Sequence, residues 1–161
     1  MRIASALLPL MLGATLLAGC GKSDDAKYTL SADGNARFLA DNGKRADIKT
    51  TASGLQYRVI HAGTGAKISG PGDIVTVTYR GWTIDGHVFD QTQPGQTASF
   101  PAGRLIRGWV EALKLMHEGD EWQLVIPAKL GYGEAGAGAD IGPNQTLVFD
   151  MKLVSVTRSG H

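Results

Sequence analysis

Residues that could shape a binding pocket recur through the carboxyl-terminal two-thirds of the chain, and most of them are aromatic or branched apolar. They lie in five separate segments, each predicted to be a strand end, a turn or a short helix. Apolar side chains that converge from separate segments form a concave pocket with few polar groups. Asp90 and the hydroxyl of Tyr132 are the polar members of this set and the candidates for chemistry. The apolar candidates are Tyr79, Phe89, Ile106, Trp109, Ile141 and Phe149.

Alternating apolar and polar side chains predict the strands that position these residues. The alternation runs over residues 55–59 and 75–80 with the period of a half-buried strand. Further strands are expected over residues 123–126 and 146–156. Between the second and third of these, Asp85-Gly86 is a typical hairpin-turn pair.

One helix is predicted among the strands. Trp109, Leu113 and Met116 recur at helical spacing, and the pattern stops at residues 117–119. Several antiparallel strands with one helix laid across them define an α+β domain.

Five of these segments resemble, in order and spacing, the FKBP family of peptidyl-prolyl cis/trans isomerases. The resemblance implies an antiparallel twisted sheet wrapped around one short helix, in a domain that spans residues 50–157 and is followed by a tail, 158–161. The segments that carry it are residues 77–81, 88–90, 106–109, 132–133 and 146–150.

The activity that this resemblance implies needs no nucleophile. A peptide bond resists rotation by about 18–20 kcal/mol, and a bond to proline is the case in which both isomers are thermally accessible. A pocket that grips the proline ring and leaves the preceding carbonyl free to turn favours the twisted state, in which resonance is lost. Removal of the bond from water helps as well, because the twisted amide is less polar than the planar one.

The resemblance also implies roles for single residues. Trp109 forms the floor, where its indole offers a flat surface to the ring; a core tryptophan is the alternative. Asp90, held by the Tyr79 hydroxyl, acts through its field on the carbonyl; capping a turn is its alternative. The Tyr132 hydroxyl and the Ile106 N–H donate to substrate carbonyls. Plain core packing remains open for the wall residues. The implied catalytic residues are Asp90 and Tyr132, and the implied substrate-binding residues are Tyr79, Phe89, Leu105, Ile106, Trp109, Ile141 and Phe149.

The chain departs from the family near the pocket. Ala98 stands where many members carry another aromatic wall, and Asp140 stands where an apolar residue is usual. Residues 134–140 are almost all glycine and alanine, and Gly142-Pro143 replaces a pair of prolines. These differences leave the floor in place but bear on ligand affinity and on the preferred residue before proline.

Residues 1–19 are expected to be a lipoprotein signal peptide. Arg2 is followed by an apolar run through residue 18, which is too short and too broken by glycine and proline for a spanning helix. The run ends in a sequence that resembles a bacterial lipobox and predicts lipidation at Cys20; a free thiol at an ordinary cleavage site is the alternative. Because Cys20 is the only cysteine, no disulfide can form within the chain. Gly21 favours the outer membrane, so we expect an exported protein anchored to a bacterial membrane and facing the periplasm.

The segment after the anchor, residues 20–49, is expected to be a lipid-anchored tether with a short helix. Asp33 is the candidate cap of that helix, and Asn42-Gly43 is its candidate end. The segment resembles the lead-in of bacterial family members whose long helices dimerise, but here the helix is expected to span little more than two turns. An isolated helix of that length is marginal, so it either packs on the domain or frays.

Charge and composition exclude several partners. Sixteen basic residues stand against fifteen acidic ones, and loss of Arg2 with the leader leaves fifteen of each. No Lys/Arg stripe is present, so no nucleic-acid partner is expected. The four histidines show no ligand spacing, so neither a metal nor another cofactor is expected. By resemblance, the partners are Pro-containing polypeptides and macrolide inhibitors of the rapamycin type, bound by a monomer.

Residues 131–136 also satisfy the dinucleotide-binding pattern, with Asp150 further along the chain. That fingerprint needs a helix that starts within the glycine run. Gly138, Gly142 and Pro143 oppose a helix there, so the pattern is rejected by its context.

Two function classes stay open. The first is an isomerase acting on Xaa-Pro bonds of extracytoplasmic proteins. The second is a lipid-anchored chaperone or binding module that holds Pro-containing segments with little turnover. The joint presence of Asp90, Tyr132 and Trp109 favours the enzyme.

Overall fold

The computed structural model describes residues 27–160, and the predicted signal peptide and Cys20 lie outside them. No helix of this described part is long and apolar enough to cross a membrane. Two α-helices and seven strands carry the fold: α1 (Ala32–Gly43), β1 (Lys49–Thr50), β2 (Gln56–His61), β3 (Ile74–Thr83), β4 (Val88–Gln91), β5 (Ala98–Pro101), α2 (Arg107–Leu115), β6 (Glu121–Ile126) and β7 (Leu147–Thr157).

All seven strands belong to one antiparallel sheet. Its order is β1-β2-β6-β7-β3-β4, and β5 pairs with β3 beside β4. The two longest strands, β3 and β7, pair at its centre, from Thr83 opposite Leu147 to Ile74 opposite Thr157. Alternate residues of β7 are almost fully buried, which confirms the predicted alternation; they are Leu147, Phe149, Met151 and Leu153.

The predicted hairpin turn joins β3 to β4. Gly86 has a φ of 90°, a conformation that glycine adopts without a Cβ penalty, and its N–H donates to the Thr83 carbonyl at 2.8 Å. The Thr83 N–H donates in turn to the His87 carbonyl at 3.0 Å. The Asp85-Gly86 prediction is therefore confirmed, and the turn places β4 beside the outer end of β3.

Helix α2 packs its apolar side on one face of the sheet. Trp109, Ala112 and Leu113 are buried there with Met116, which follows the helix. The first turn comes very close to β6: a Cβ on Gly108 would lie 2.6 Å from Cγ2 of Ile126. Glycine at this position therefore lets the neighbouring Trp109 enter the core. α-Helices together with an antiparallel sheet confirm the α+β prediction.

Helix α1 lies on the opposite face of the sheet. Its inward side, at the spacing of a helical face, consists of Asn35, Phe38, Leu39 and Asn42, of which the two asparagines are buried. At its end, Asn42 Nδ2 donates to Gln56 Oε1 of β2 at 2.7 Å. At its start, Asn35 Oδ1 accepts from the Thr146 N–H, just before β7, at 2.8 Å. The helix thus spans the sheet from β2 to the beginning of β7.

Two apolar residues on this face are buried between the anchors of α1. Val125 pairs with Gln56 on one side and with Val148 on the other, and both valines are no more than 3 % exposed. Hydrogen bonds at both of its ends therefore tie this short helix to the sheet.

The expected start of α1 was wrong. Ser31 is the N-cap, and its Oγ accepts from the Gly34 N–H at 3.1 Å; Asp33 lies inside the first turn. The helix is also longer than expected, with 12 residues. The proposed boundary between tether and domain at residue 50 stays a prediction, although α1 and β1 both pair with elements beyond it.

A buried carboxylate fastens the end of the chain to the domain. Asp73 is 1 % exposed and accepts hydrogen bonds from the Ser69 N–H at 2.6 Å, the Ser159 N–H at 3.0 Å and the Ser69 hydroxyl at 2.8 Å. These bonds, of which the Ser69 N–H gives the strongest effect, hold the pKa of the Asp73 carboxyl well below its usual range.

Candidate active site

A concave cavity of about 420 Å³ opens between the start of α2, the inner face of the sheet and the loop after β6. Most of its lining is aromatic or aliphatic, with one acidic and one basic side chain. The lining residues are Tyr79, Asp90, Phe100, Arg104, Leu105, Ile106, Trp109, Tyr132 and Phe149.

Trp109 lies at the centre of an aromatic cluster. Its ring meets those of Tyr79 and Phe149 edge to face, with centroids 5.1 and 5.2 Å apart, and Phe100 lies at 6.3 Å with the same type of geometry. Edge-to-face contacts are favourable for aromatic rings and fix their orientation. Trp109 is 5 % exposed, so the surface that it offers to the cavity is small and rigidly held.

A glycine of β3 allows the aromatic rings to approach the sheet. A Cβ on Gly81 would lie 2.5 Å from Phe149 and 2.8 Å from Phe89. Phe89 packs edge to face on Phe149 with ring centroids 5.5 Å apart. Because Gly81 has no side chain, Phe149 can pack closely against β3 and contact Trp109.

Asp90 and Tyr79 form the polar edge of the cavity. The Tyr79 hydroxyl donates to Asp90 Oδ2 at 2.6 Å, from β3 to β4. Burial raises the pKa of the Tyr79 hydroxyl, and the hydrogen bond to Asp90 raises it further. Tyr79 therefore stays a proton donor, and the exposed Asp90 is held in place by a neutral group.

Tyr132 and Ile106 also lie on the cavity lining, and each carries a hydrogen-bond donor. Tyr132 is 41 % exposed and follows the 3-10 turn Ala128–Leu130. Ile106 is the N-cap of α2, where first-turn N–H groups lack helical partners. Within residues 27–160, neither the Tyr132 hydroxyl nor the Ile106 N–H makes a hydrogen bond, so both are available to a bound carbonyl.

The structure brings seven of the nine residues predicted at the site onto the cavity lining. Phe89 lies behind Phe149 as described above. Ile141 is 6 % exposed, belongs to the main core and pairs through its backbone with Ala137. The functional roles of all nine residues stay predictions. The seven lining residues are Tyr79, Asp90, Leu105, Ile106, Trp109, Tyr132 and Phe149.

Two lining residues were not predicted. Phe100 lies two positions after Ala98 on β5, and alternation along that strand would have identified it as an inward-facing aromatic residue. Arg104 ends the 3-10 turn Ala102–Arg104 and is exposed. No sequence pattern distinguishes it from an ordinary surface arginine.

Asp140, one of the departures noted above, links its loop to the β3–β4 hairpin. Its Oδ1 lies 3.1 Å from Nε2 of His87, which belongs to the β3–β4 hairpin. Both side chains are more than half exposed, so the contact contributes little to stability.

The glycine-rich segment 131–136 does not start a helix. Gly133–Ala135 is a single 3-10 turn, and Gly136 follows with a φ of 64°. The rejection of the dinucleotide pattern is therefore consistent with the backbone. Within the described residues, no group of three or more His, Cys, Asp or Glu side chains could hold a metal ion.

The fold and the cavity define a small α+β domain with an aromatic-lined pocket. A family model described as FKBP-type peptidyl-prolyl cis-trans isomerase matches residues 65–154, more than half of the chain. A second, described as the domain amino terminal to FKBP-type peptidyl-prolyl isomerase, matches residues 19–59. The chain belongs to the FKBP-type peptidyl-prolyl cis-trans isomerase family.

Individual relatives agree with this assignment. The chain is 48 % identical to the outer membrane protein MIP of Legionella longbeachae over 123 residues, 76 % of this chain and 52 % of the relative. It is 47 % identical to the FKBP-type 22 kDa peptidyl-prolyl cis-trans isomerase of Escherichia coli K12 over 128 residues, 79 % of this chain and 61 % of the relative. It therefore spans only about half to three-fifths of the length of these relatives.

A solved structure shares the fold. The crystal structure of FkpA from Escherichia coli superposes with a TM-score of 0.74 at 38 % sequence identity, over 80 % of this chain and 60 % of that one. The family prediction and the fold prediction are both confirmed.

Proposed function

We propose that this chain is a peptidyl-prolyl cis/trans isomerase that acts on Xaa-Pro bonds of proteins outside the cytoplasm. The observation that carries the proposal is the cavity itself: Trp109 forms an aromatic floor, and Asp90, held by Tyr79, stands at its edge. Family membership supports the same activity.

The cavity binds the proline ring and leaves the preceding carbonyl mobile. The rings of Tyr79, Trp109 and Phe149 line the site, so the pyrrolidine leaves water as it enters. An apolar surrounding disfavours the planar, more polar amide relative to the twisted one. Each 1.4 kcal/mol or so by which the pocket lowers the barrier accelerates rotation about tenfold.

Polar groups at the edge of the cavity act on the rotating carbonyl and on its neighbours. Asp90 presents a negative field to the carbonyl carbon as the amide loses resonance. The Tyr132 hydroxyl and the Ile106 N–H donate to substrate carbonyls and fix the backbone on both sides of the proline. No covalent bond forms or breaks in this mechanism.

A turnover assay tests the proposal. Cis-to-trans relaxation of a short Ala-Xaa-Pro-Phe peptide is measured without a coupling protease, and the rate is expected to rise in proportion to protein concentration. A rapamycin-type macrolide is expected to abolish the acceleration, because it occupies the same cavity. Tight binding of the macrolide without any acceleration would support the second candidate, a chaperone or binding module.

We further propose that the protein is a monomer anchored by lipid at Cys20, facing the periplasm and sorted to the outer membrane. The lipobox-like sequence before Cys20, Gly21 after it, and the name of the outer membrane relative support this. One acyl chain binds membranes only marginally, so two or three chains are needed. Mass spectrometry of the mature protein checks the anchor: an unmodified Cys20 would refute it, and Cys20→Ser is expected to stay unprocessed. Sedimentation of the delipidated protein checks the monomer.

A further inference from the structure

Helix α1 is hydrogen-bonded to the end of the loop that connects β6 to β7. Asn35 accepts a bond from the Thr146 N–H at 2.8 Å and donates one through Nδ2 to Gln145 Oε1 at 3.2 Å. Nδ2 also donates to the Ser31 carbonyl at 2.9 Å, within the first turn of α1. Asn35 is 6 % exposed and Thr146 is 1 % exposed. The bonds from Asn35 to Gln145 and Thr146 join residues that are more than a hundred positions apart in the chain.

Gln145 extends the same network in both directions. Its Nε2 donates to the Leu30 carbonyl at 3.0 Å, just before α1, and to the Pro143 carbonyl at 2.9 Å in its own loop. The side chain is 8 % exposed. A buried polar group that loses its hydrogen-bond partner is left unsatisfied, at the full cost of its desolvation. The network therefore strongly favours the loop position in which all of these bonds are made.

The network reaches Tyr132 through the backbone. The Asn144 N–H donates to the Gly133 carbonyl at 2.8 Å, and Gly133 directly follows Tyr132. The intervening residues 134–140 are mostly exposed glycines and alanines, so they offer little side-chain packing to hold the loop. Ile141, which directly follows this stretch, is buried. The bond between Asn144 and Gly133 therefore links Tyr132 to the hydrogen bonds at the far end of the loop.

We propose that Asn35 is a positioning residue: through Gln145 and Thr146 it holds the loop that orients the Tyr132 hydroxyl over the cavity. The amino-terminal segment thus tunes the site from the opposite face of the sheet. The inference rests on the proposed function only for the effect on turnover, since the effect on the loop is measured separately.

The chain supplies a matched control on the same helix. Asn42 is 7 % exposed, and its Nδ2 donates to Gln56 Oε1 on β2, away from the loop. Asn42→Ala and Asn35→Ala therefore remove the same group from the same helix, and both release a buried partner. Only Asn35→Ala is expected to act on the loop.

Amide hydrogen exchange of the full chain, followed by mass spectrometry, tests the loop directly. Exchange over residues 131–146 is expected to rise about tenfold in Asn35→Ala, since the loop then opens more easily. It is expected to stay at the parent rate in Asn42→Ala. Equal rates in the two variants would overturn the inference, whether or not the protein has isomerase activity. If Asn35→Ala does not fold, Gln145→Met provides the same test, because it removes the bonds to Leu30 and Pro143 with little change of volume.

A double-mutant cycle tests the path to turnover. Tyr132→Phe is expected to lower kcat/KM by about two- to tenfold, the effect of one neutral hydrogen bond. Asn35→Ala is expected to lower it by a similar factor in the parent and to have no effect in the Tyr132→Phe background, because both changes remove the same interaction. Losses that simply multiply would contradict the path. A parent that does not accelerate the peptide refutes the proposed function, and the exchange result then decides the inference alone.

Discussion

The Tyr79 hydroxyl and Asp90 Oδ2 lie 2.6 Å apart, joined across β3 and β4 at the edge of the cavity. The donor is a neutral group whose pKa is raised by burial and by Asp90 itself, so it fixes the carboxylate without cancelling its charge. Within residues 27–160, Asp90 makes no ion pair. Its charge is thus held in position and left free to act on a bound amide.

We expect Asp90→Leu to lower kcat/KM on a prolyl peptide by about tenfold or more, because the field at the rotating carbonyl is lost. Asp90→Asn keeps the shape and an acceptor for Tyr79, so a similar loss there would assign the effect to charge. Tyr132→Phe is expected to cost less, since it removes one neutral hydrogen bond of about 0.5–1.5 kcal/mol.

Thermal melts must accompany these rates, because Asp90 also orients Tyr79. The assigned mechanism fails if Asp90→Leu and Tyr132→Phe both turn over peptide at the parent rate with unchanged stability.

The raised pKa of Tyr79 predicts a loss of stability in alkali. In the unfolded chain a tyrosine has a pKa of about 10, which is below the pKa of Tyr79 in the folded chain. The stability that this group contributes is therefore complete below pH of about 10, and it is lost as pH rises toward the folded-state pKa. We expect the difference in unfolding free energy between the parent and Tyr79→Phe to shrink above that pH. Urea denaturation at a series of pH values measures it, and a constant difference would exclude the coupling.

Fluorescence tests the floor of the cavity. Trp109 lines the cavity, whereas Trp122 stacks on Tyr57 at 4.4 Å and Trp82 lies beside Arg80 at 5.6 Å, both outside the lining. A rapamycin-type macrolide is expected to quench the tryptophan fluorescence of the parent and of Trp82→Phe by the same amount. Trp109→Phe is expected to lose the quench. An unchanged quench in Trp109→Phe would place the ligand elsewhere.

Local patterns were sufficient for the central elements of the fold. The alternation that begins with Leu147 and Phe149 predicted β7, and the spacing of Trp109 and Leu113 predicted α2. Both patterns reflect burial of one face, which neighbouring residues along the chain report directly.

Long-range contacts were not accessible in this way. Ser31 and Asp33 are both good N-cap residues. In the structure Ser31 is the N-cap, and the helix that it begins contacts residues 145–146 through Asn35. Arg104 likewise carries no periodic signal, since its place on the cavity depends on how the turn before α2 meets the sheet.

Arg104 leads to a prediction about the residue next to proline. Of the described residues, Asp90 and Arg104 are the charged side chains on the cavity lining, and Arg104 forms no ion pair. An acidic residue before proline can therefore approach an unpaired guanidinium. Exposed pairs are worth about 0.2–1 kcal/mol, so we expect a peptide with Glu at that position to exceed its Lys counterpart by about two- to fivefold in kcat/KM.

The matched variants are Arg104→Gln and Arg107→Gln, because Arg107 is also exposed but lies outside this cavity. We expect Arg104→Gln to bring the Glu and Lys peptides to nearly equal rates, and Arg107→Gln to keep most of the preference. High ionic strength is expected to reduce the preference of the parent for the Glu peptide as Arg104→Gln does, since salt screens an exposed ion pair. A Glu preference that survives both Arg104→Gln and high salt would have to arise from the apolar walls, and Arg104 would then have no part in substrate choice.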